Sequence, residues 1–249
     1  EVRERSLDKV YIFDPTADEL RDGCTIPASH RRGSAGVVLY EGSFYIAQGA
    51  TKGHLRRYGA RAFEGFTRFS PEGCAWSSLP ARPSYHRDHF QAGLLMGSYM
   101  VLAAGRDSPH DMDESKATHY TTNAVEWFDL REVDSGGTWH AGASIPTPRA
   151  GTTAVVDDVN DRLLVIGGEG DNNPRCPSSA GNYLAHAEVE SFDLRDDVWL
   201  TLPSLLAGRH TAGAAMITPE STPEHGAGAG AGAGRRLLVS GGVACTGDR

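Results

Sequence analysis

The stretch RAGTTAVV at residues 149–156 opens the clearest copy of a block that occurs nearly four times in this chain. In that copy it is followed by LLVIGG (163–168), VESFD (189–193) and WLTLP (199–203). Each segment is a short, largely apolar run that ends near glycine, aspartate or proline, which is typical of β-strands separated by turns. Because the block recurs along the chain, a repeat architecture is indicated before any other fold.

Three markers keep the copies in phase. The aromatic residue of the third strand recurs after 56, 59 and 64 residues, at Phe13, Phe69, Phe128 and Phe192. The glycines that close the second strand and the prolines that end the fourth keep the same order: Gly49, Gly105, Gly168 and Gly242, and Pro27, Pro80, Pro146 and Pro203. The last glycine interval is longer because an alternating Gly-Ala tract, Gly226 to Gly234, is inserted there, and we interpret this tract as a flexible connection.

These blocks resemble the kelch motif over almost the whole chain. The shared features are an opening arginine, a double glycine and an aromatic residue shortly before a tryptophan (Gly167-Gly168 and Gly241-Gly242; Phe69 with Trp76 and Phe192 with Trp199). The early copies depart from the motif, with Gln48-Gly49 and Ala104-Gly105 at the double glycine and Cys24 near the expected tryptophan. The resemblance implies an all-β, kelch-type β-propeller of the galactose oxidase/kelch superfamily, and it specifies fold more than function.

A propeller blade is a small antiparallel sheet of about four strands that buries both faces against its neighbours. This arrangement explains the small apolar inner strands, and it assigns Trp76, Trp139 and Trp199 to the gaps between blades rather than to a ligand. We expect one domain over residues 1–249, with blades at 31–80, 86–146 and 149–203 and a fourth blade split between 209–249 and 8–27. In a four-bladed propeller, Val10–Asp14 would pair with Leu237–Gly241. A piece of a six- or seven-bladed propeller remains the open alternative.

The charge and hydropathy of the chain argue against two kinds of partner. The net charge of −8 disfavours nucleic acid, because contacts to phosphate need a basic surface. No apolar run reaches the length of a membrane-spanning helix, and no apolar N-terminal segment suggests a secretion signal. We therefore expect neither a nucleic acid nor a membrane as partner.

The four cysteines allow more than one arrangement. Cys176 and Cys245 follow the second strands of neighbouring blades on one face, so a disulfide between them is geometrically open. Cys24 and Cys74 lie near the start of fourth strands at the rim, where we expect adjacent blades to hold them too far apart to bridge. The absence of a Cys-x-x-Cys motif gives no support to zinc or thioredoxin-like chemistry.

The segments that enter the first strands and those that leave the second strands share one face of a propeller, called the loop face below. Loops held by a rigid sheet are where binding residues concentrate, and guanidinium groups around a mouth favour carboxylates, phosphates or sulfates. The predicted ligand- or partner-binding residues on this face are Arg32, Arg87, His89, Arg106, Arg149, Arg209 and His210. The alternative is that each opening arginine caps its own blade by pairing with a nearby carboxylate or loop carbonyl.

Two features hint at enzyme chemistry, and both are incomplete. Tyr85-His86 is similar to the adjacent Tyr-His copper ligands of copper radical oxidases, but the remaining ligands and the tyrosine joined to cysteine have no counterpart in this sequence. A sugar mutarotase of the sialic-acid type shares the fold, but its catalytic residues have no assignable positions here. The loop from Arg106 to His119 is rich in carboxylates but lacks the spacing of a metal site.

The sequence thus predicts a non-catalytic binding module for a protein or for an anionic or carbohydrate ligand, with no metal or other cofactor. A kelch-built carbohydrate-active enzyme, either copper radical oxidase-like or mutarotase-like, is the alternative.

Overall fold

A computed structural model describes residues 7–51, 63–107, 120–170, 184–217 and 235–244. Regular structure within these residues consists of β-strands and three short 3-10 turns, at Ala28–His30, Glu72–Cys74 and Leu130–Glu132. The predicted all-β class is confirmed. All strand pairs are antiparallel hairpin or meander pairs, as the short turns between the apolar runs require.

The strands form three four-stranded sheets flanked by hairpins. The N-terminal hairpin consists of β1 (Lys9–Asp14) and β2 (Glu19–Thr25), and blade 1 of β3 (Gly36–Tyr40), β4 (Ser43–Ala47), β5 (Phe66–Ser70) and β6 (Ala75–Leu79). Blade 2 consists of β7 (Ala92–Leu95), β8 (Tyr99–Ala103), the small pair β9 (Arg106–Asp107) and β10 (Tyr120–Thr121), β11 (Val125–Asp129) and β12 (His140–Gly142). Blade 3 consists of β13 (Thr153–Asp157), β14 (Arg162–Ile166), the small pair β15 (Glu169–Gly170) and β16 (Leu184–Ala185), β17 (Val189–Asp193) and β18 (Val198–Leu202). The C-terminal hairpin consists of β19 (Gly213–Ile217) and β20 (Arg236–Ser240).

The hydrophobic core lies between sheets rather than inside any one of them. Successive residues of a strand point to opposite faces. On β14, Leu163 and Val165 therefore pack toward blade 2, whereas Leu164 and Ile166 pack toward the C-terminal hairpin. Both faces of β14 are buried, which explains its continuous apolar run Leu163–Ile166 in place of an alternating pattern.

Trp139 and Trp199 fill gaps between sheets, as the repeat pattern suggests. Trp139 lies edge-on to Phe66 of blade 1, with ring centroids 5.2 Å apart. Trp199 packs on Phe192 and donates its indole N–H to the carbonyl oxygen of Ala143 at 2.7 Å. These rings are therefore structural, joining one sheet to the next.

The glycine that follows the second strand is required by close backbone approach. At Gly49, Gly105, Gly168 and Gly242, φ is positive, and a Cβ would lie 2.5–3.0 Å from the carbonyl oxygen of the segment entering the same blade. The residue before it is also left-handed, and Gln48 (φ 54°) and Ala104 (φ 62°) adopt this conformation where the motif has its first glycine. The departures from the double glycine therefore preserve the turn, at the cost of local backbone strain.

The strand pairing predicted for a closed four-bladed propeller is absent. Within the described residues, β1 pairs only with β2 and β20 pairs only with β19. Blade 1, blade 2, blade 3 and the C-terminal hairpin contact one another in chain order through their first strands, whereas the N-terminal hairpin is linked to blade 1 by a disulfide. Phe13 and Leu238, which this pairing would cover, are both more than half exposed.

The expectation that Cys24 and Cys74 lie too far apart was wrong. They form a disulfide with a Cα–Cα distance of 5.5 Å. The expectation assumed that the N-terminal hairpin stacks on blade 1 as one blade on another. Instead, nearly all side chains of the hairpin are exposed and Cys24 is the buried exception. Leu20, rather than Cys24, is the cross-strand partner of Phe13, at the place where Trp76 and Trp199 face their phenylalanines.

Candidate functional site

The loop face is organised by one short bridge in each copy of the repeat. The residue that enters a first strand pairs with the residue that leaves the second strand of the same copy. These pairs are Gly33 with Ala50, Asp88 with Arg106, Ala150 with Glu169, and His210 with Val243. The structure therefore places the entering and leaving segments side by side, as the predicted topology requires.

Backbone hydrogen bonds also join neighbouring copies at this face. The N–H of the second glycine donates to the carbonyl of the next copy's opening arginine, for example from Gly105 to Arg149 and from Gly168 to Arg209, both at 2.8 Å. A second ladder runs two residues further on, where Gly151 donates to His89 at 2.7 Å and Thr211 donates to Gly151 at 2.8 Å. The side chains carried by these segments are thereby held in fixed positions between adjacent sheets.

Arg87 and Arg149 are fully buried and paired with glutamates of their own blades. Arg87 donates to a carboxylate oxygen of Glu126 at 2.7 Å and to the carbonyl oxygens of Ala104 and Ala124 at 3.1 and 2.8 Å. Burial lowers the pKa of Arg87, and the charge of Glu126 opposes that change. Both guanidinium groups are closed off from solvent in this conformation, so the geometry favours the alternative in which these arginines cap their blades.

Arg149 repeats the same arrangement in blade 3. Its guanidinium pairs with Glu190 and donates to the carbonyl oxygens of Thr147 and Val165, both at 3.0 Å. The hydroxyl of Thr147 donates to the other oxygen of Glu190 at 2.9 Å. In this pair a buried charge is matched by a hydrogen-bonded partner, as a charge in a low-dielectric environment requires.

Arg32 and Arg209 occupy the same repeat position in different surroundings. Arg32 donates to the carbonyl oxygens of His30 and Ile46, and its guanidinium lies 4.2 Å from the ring centroid of Phe63. Burial without a carboxylate partner lowers the pKa of Arg32 to about 10. Arg209 is partly exposed and donates to the carbonyl oxygen of Gly241 at 2.9 Å.

Five side chains form a connected polar group across blade 2, blade 3 and the C-terminal hairpin. This group, called the mouth cluster, consists of Asp88, His89, Arg106, Glu169 and His210. Arg106 is at its centre and donates to Glu169 at 2.7 Å and to Asp88 at 3.3 Å, and one of its nitrogens lies 3.0 Å from Nε2 of His89. His89 in turn contacts Asp88. The cluster thus links two blades through a single guanidinium.

His210 extends the mouth cluster to the C-terminal hairpin. Its Nδ1 lies 3.8 Å from a carboxylate oxygen of Glu169 and 3.4 Å from the hydroxyl oxygen of Thr211. Its Nε2 is buried and has no hydrogen-bond partner in the structure. Beside both side chains lies Gly151, where a Cβ would be 3.5 Å from Cγ of Glu169 and from Cβ of His210. The backbone of Gly151 thus packs closely against both the carboxylate and the imidazole.

The structure divides the predicted site residues into two sets. His89, Arg106 and His210 come together in the mouth cluster. The other four do not: Arg87 and Arg149 are engaged inside their blades, Arg32 lies against Phe63, and Arg209 donates to the carbonyl oxygen of Gly241. The sequence reasoning missed the acidic members Asp88 and Glu169. A signal was present, because each occupies the entering or leaving position already singled out for its neighbours in other copies.

The features that suggested enzyme chemistry lie apart from the mouth cluster or outside the described residues. The Tyr85 side chain is half exposed, and His86 lies 3.5 Å from Glu64. The disulfide between Cys24 and Cys74 occupies both of these sulfurs, so neither is available to join a tyrosine. Within the described ranges, no group of three or more His, Cys, Asp or Glu side chains is arranged to hold a metal ion. Residues 108–119, which contain most of the acidic loop, as well as Cys176, Cys245 and the Gly-Ala tract, lie outside those ranges.

Comparison with known proteins supports the architecture. The chain is 20% identical over 212 residues to a kelch-like protein, terF, of Aspergillus terreus (strain NIH 2624 / FGSC A1156), an alignment covering 85% of this chain and 41% of the relative. It superimposes on the solved structure of YjhT, a kelch-type propeller, with a TM-score of 0.58 at 15% identity, covering 87% of this chain and 75% of that one. The fold is a kelch-repeat β-propeller.

The propeller spans less than half the length of the curated relative it matches. A search of protein-family models found no match. Within the described part of the chain, no helix has the length and hydropathy needed to cross a membrane.

Proposed function

We propose that this propeller is a non-catalytic binding module, and that its ligand, a protein or an anionic or carbohydrate small molecule, docks on the loop face at the mouth cluster. The observation that carries the proposal is the convergence of five polar side chains from three consecutive copies of the repeat, around a guanidinium that bridges two blades. Backbone ladders between copies hold these side chains in place, and preorganised polar groups reduce the entropic cost of binding.

The proposal retains part of the predicted residue set and reassigns the rest. Arg106, His89 and His210 are the ligand-facing candidates, together with Glu169, and the fully buried Asp88 positions Arg106 and His89. Arg87 and Arg149 support the site by fixing the segments that carry Asp88 and Gly151, because each lies one or two residues before them in the chain. Arg32 and Arg209 lie at the flanks of the same face, and the hydrogen bond of Arg209 to Gly241 is exposed, whereas those of Arg32 are partly buried.

The test compares the mouth with the opposite face. Purified protein is screened against immobilised glycans, a peptide library, and phosphate, sulfate and citrate in solution. Hits are then measured by calorimetry with the variants Glu169→Gln and Glu72→Gln. Glu72 is an exposed residue in the turn between β5 and β6, on the face away from the mouth. We expect Glu169→Gln to change the affinity at least about tenfold, which corresponds to about 1.4 kcal/mol, and Glu72→Gln to leave it unchanged. Equal effects of the two variants would contradict the placement.

A sugar mutarotase is the second candidate, and one observation favours it. Nδ1 of His210 lies 3.8 Å from a carboxylate oxygen of Glu169, and carboxylates and imidazoles are the side chains that most often transfer protons in catalysis. Mutarotation needs an acid and a base near the anomeric hydroxyl and the ring oxygen. Polarimetry of freshly dissolved anomers separates the candidates, because a binding module leaves the rate at its uncatalysed value.

A further inference from the structure

We propose that the mouth cluster selects an uncharged, polyhydroxylated ligand, the chemistry of a neutral sugar, and discriminates against anions. The inference rests on the proposed function, because it names the ligand class of the same site. It reverses the simplest expectation for a face lined with arginines, which is that the face binds phosphate, sulfate or carboxylate.

The first step is the state of Arg106. Its side chain is 5% exposed, and its guanidinium is already engaged with Asp88, His89 and Glu169. A guanidinium grips an anion through two parallel N–H donors. Here, donors on all three of its nitrogens face acceptors of the protein, so an anion would have to displace a carboxylate that is itself buried.

The second step is the charge balance around the mouth. Two carboxylates, Asp88 and Glu169, accompany the single guanidinium of Arg106, and all three groups are buried. Of the opening arginines, Arg87 and Arg149 are each neutralised by a glutamate within their own blades, and Arg32 and Arg209 lie at the flanks of the loop face, outside the mouth cluster. The mouth cluster therefore lacks a surplus of positive charge. An incoming anion meets its carboxylates in a low-dielectric setting, where the repulsion between like charges is strong.

The third step is the hydrogen-bonding capacity that remains. The side chain of His210 is nine-tenths buried, and its Nε2 is a polar atom without a partner. A buried nitrogen without a hydrogen-bond partner destabilises the folded protein unless a ligand or a water molecule supplies that partner. A sugar hydroxyl both donates and accepts, so it satisfies this nitrogen in either tautomer and can donate to the neighbouring carboxylate of Glu169.

The experiment uses matched sugar pairs in which the terminal hydroxymethyl group of the neutral sugar is replaced by a carboxylate. Glucose, galactose and mannose are each compared with the corresponding uronate by saturation-transfer NMR and calorimetry, at low ionic strength where charge effects are largest. For the sugar that binds, we expect the uronate to bind at least about tenfold more weakly. His210→Ala should abolish binding of the neutral sugar, whereas Glu169→Gln should narrow the gap between the neutral sugar and the uronate. Glu72→Gln again serves as the control.

The outcomes separate the inference from the function on which it rests. Uronate, phosphate or sulfate binding more tightly than the neutral sugars would overturn the inference and leave a binding module for anions. Binding of peptides alone would also overturn it and leave a protein-binding module. If no sugar, anion or peptide binds, both the inference and the proposed function fail. Circular dichroism and thermal unfolding of His210→Ala establish that a loss of binding is not a loss of fold.

Discussion

Blade 1 carries the same repeat as blades 2 and 3, but it is stabilised by different contacts. In blades 2 and 3, the opening arginine is buried against a glutamate of the third strand, Glu126 or Glu190. In blade 1 the residue at that strand position is Thr67, and the arginine contacts carbonyl oxygens and a phenylalanine ring instead. Blade 1 is tied to the N-terminal hairpin by the Cys24–Cys74 disulfide. An equivalent position in a repeat thus has an equivalent backbone role without having equivalent chemistry.

The largest effect is expected from breaking the ion pair of an interior blade. Glu190→Ala removes the carboxylate and leaves Arg149 buried without its partner. We expect the free energy of unfolding to fall by about 3–5 kcal/mol, as is usual when one member of a buried pair is removed. Urea denaturation followed by tryptophan fluorescence measures the change. Glu72→Ala, at an exposed turn, is the control and should shift stability by less than about 0.5 kcal/mol. A loss below about 1 kcal/mol for Glu190→Ala would show that the pair is dispensable.

The fold could be predicted from the sequence because the features that determine it are local and recur in each copy. The glycine after each second strand needs a conformation and a close approach that other residues resist, so it recurs, as at Gly105 and Gly168. The capping partners were also within reach, since Glu126 and Glu190 each lie two residues before the phenylalanine that marks the third strand. Their significance depends on the direction in which each strand residue points, which the repeat pattern alone does not state.

The residues of the site were harder to predict from the sequence because they come from different copies of the repeat rather than from one. The contact from Arg106 to Glu169 depends on how blade 3 is placed against blade 2, and these residues are 63 positions apart. The disulfide was missed for a related reason. The distance between Cys24 and Cys74 was judged from stacked blades, and the exposed N-terminal hairpin does not stack in that way. The periodicity of the sequence predicts which residues each copy buries. It does not predict which non-equivalent residues of neighbouring copies contact one another.

The second effect concerns the covalent tie of blade 1. The Cys24–Cys74 bridge closes a loop with a sequence separation of 50 residues. Replacing both cysteines with serine should lower the free energy of unfolding by about 2–4 kcal/mol, chiefly because the unfolded chain gains freedom. Hydrogen exchange should also show lost protection in β1 and β2, whose side chains make few other contacts. The double variant should be compared with the wild type under oxidising and reducing conditions. A wild type that is equally stable in both conditions would contradict the structural role of the disulfide.

The smallest effect sharpens the comparison between the arginines. Arg32→Met removes a charge that lacks a carboxylate partner, so the lost hydrogen bonds and the relieved desolvation should nearly cancel. We expect a change within about 1 kcal/mol. Arg149→Met should instead lower the free energy of unfolding by about 3 kcal/mol or more, because it leaves the carboxylate of Glu190 buried without its partner. Urea unfolding of the two variants at neutral pH provides the direct comparison, and similar costs would show that Thr67 and its surroundings compensate the arginine of blade 1 as well as a glutamate does.

The pH dependence of Arg32 follows from the same contrast. Its folded-state pKa, about 10, lies well below the ordinary value of an arginine because burial penalises the charged form. Between these two values the unfolded chain binds more protons than the folded one, so this group makes stability rise with pH in that window. Below pH 10 both states are protonated and the full penalty of the buried charge is present.

The Arg32→Met variant lacks this contribution. Its stability relative to the wild type should therefore be highest at neutral pH and should decline as the pH is raised above 10. The measurement is the difference in urea midpoint between the two proteins from pH 8 to pH 11. A difference that stays constant across this range would mean that Arg32 holds its proton equally well in the folded and unfolded states.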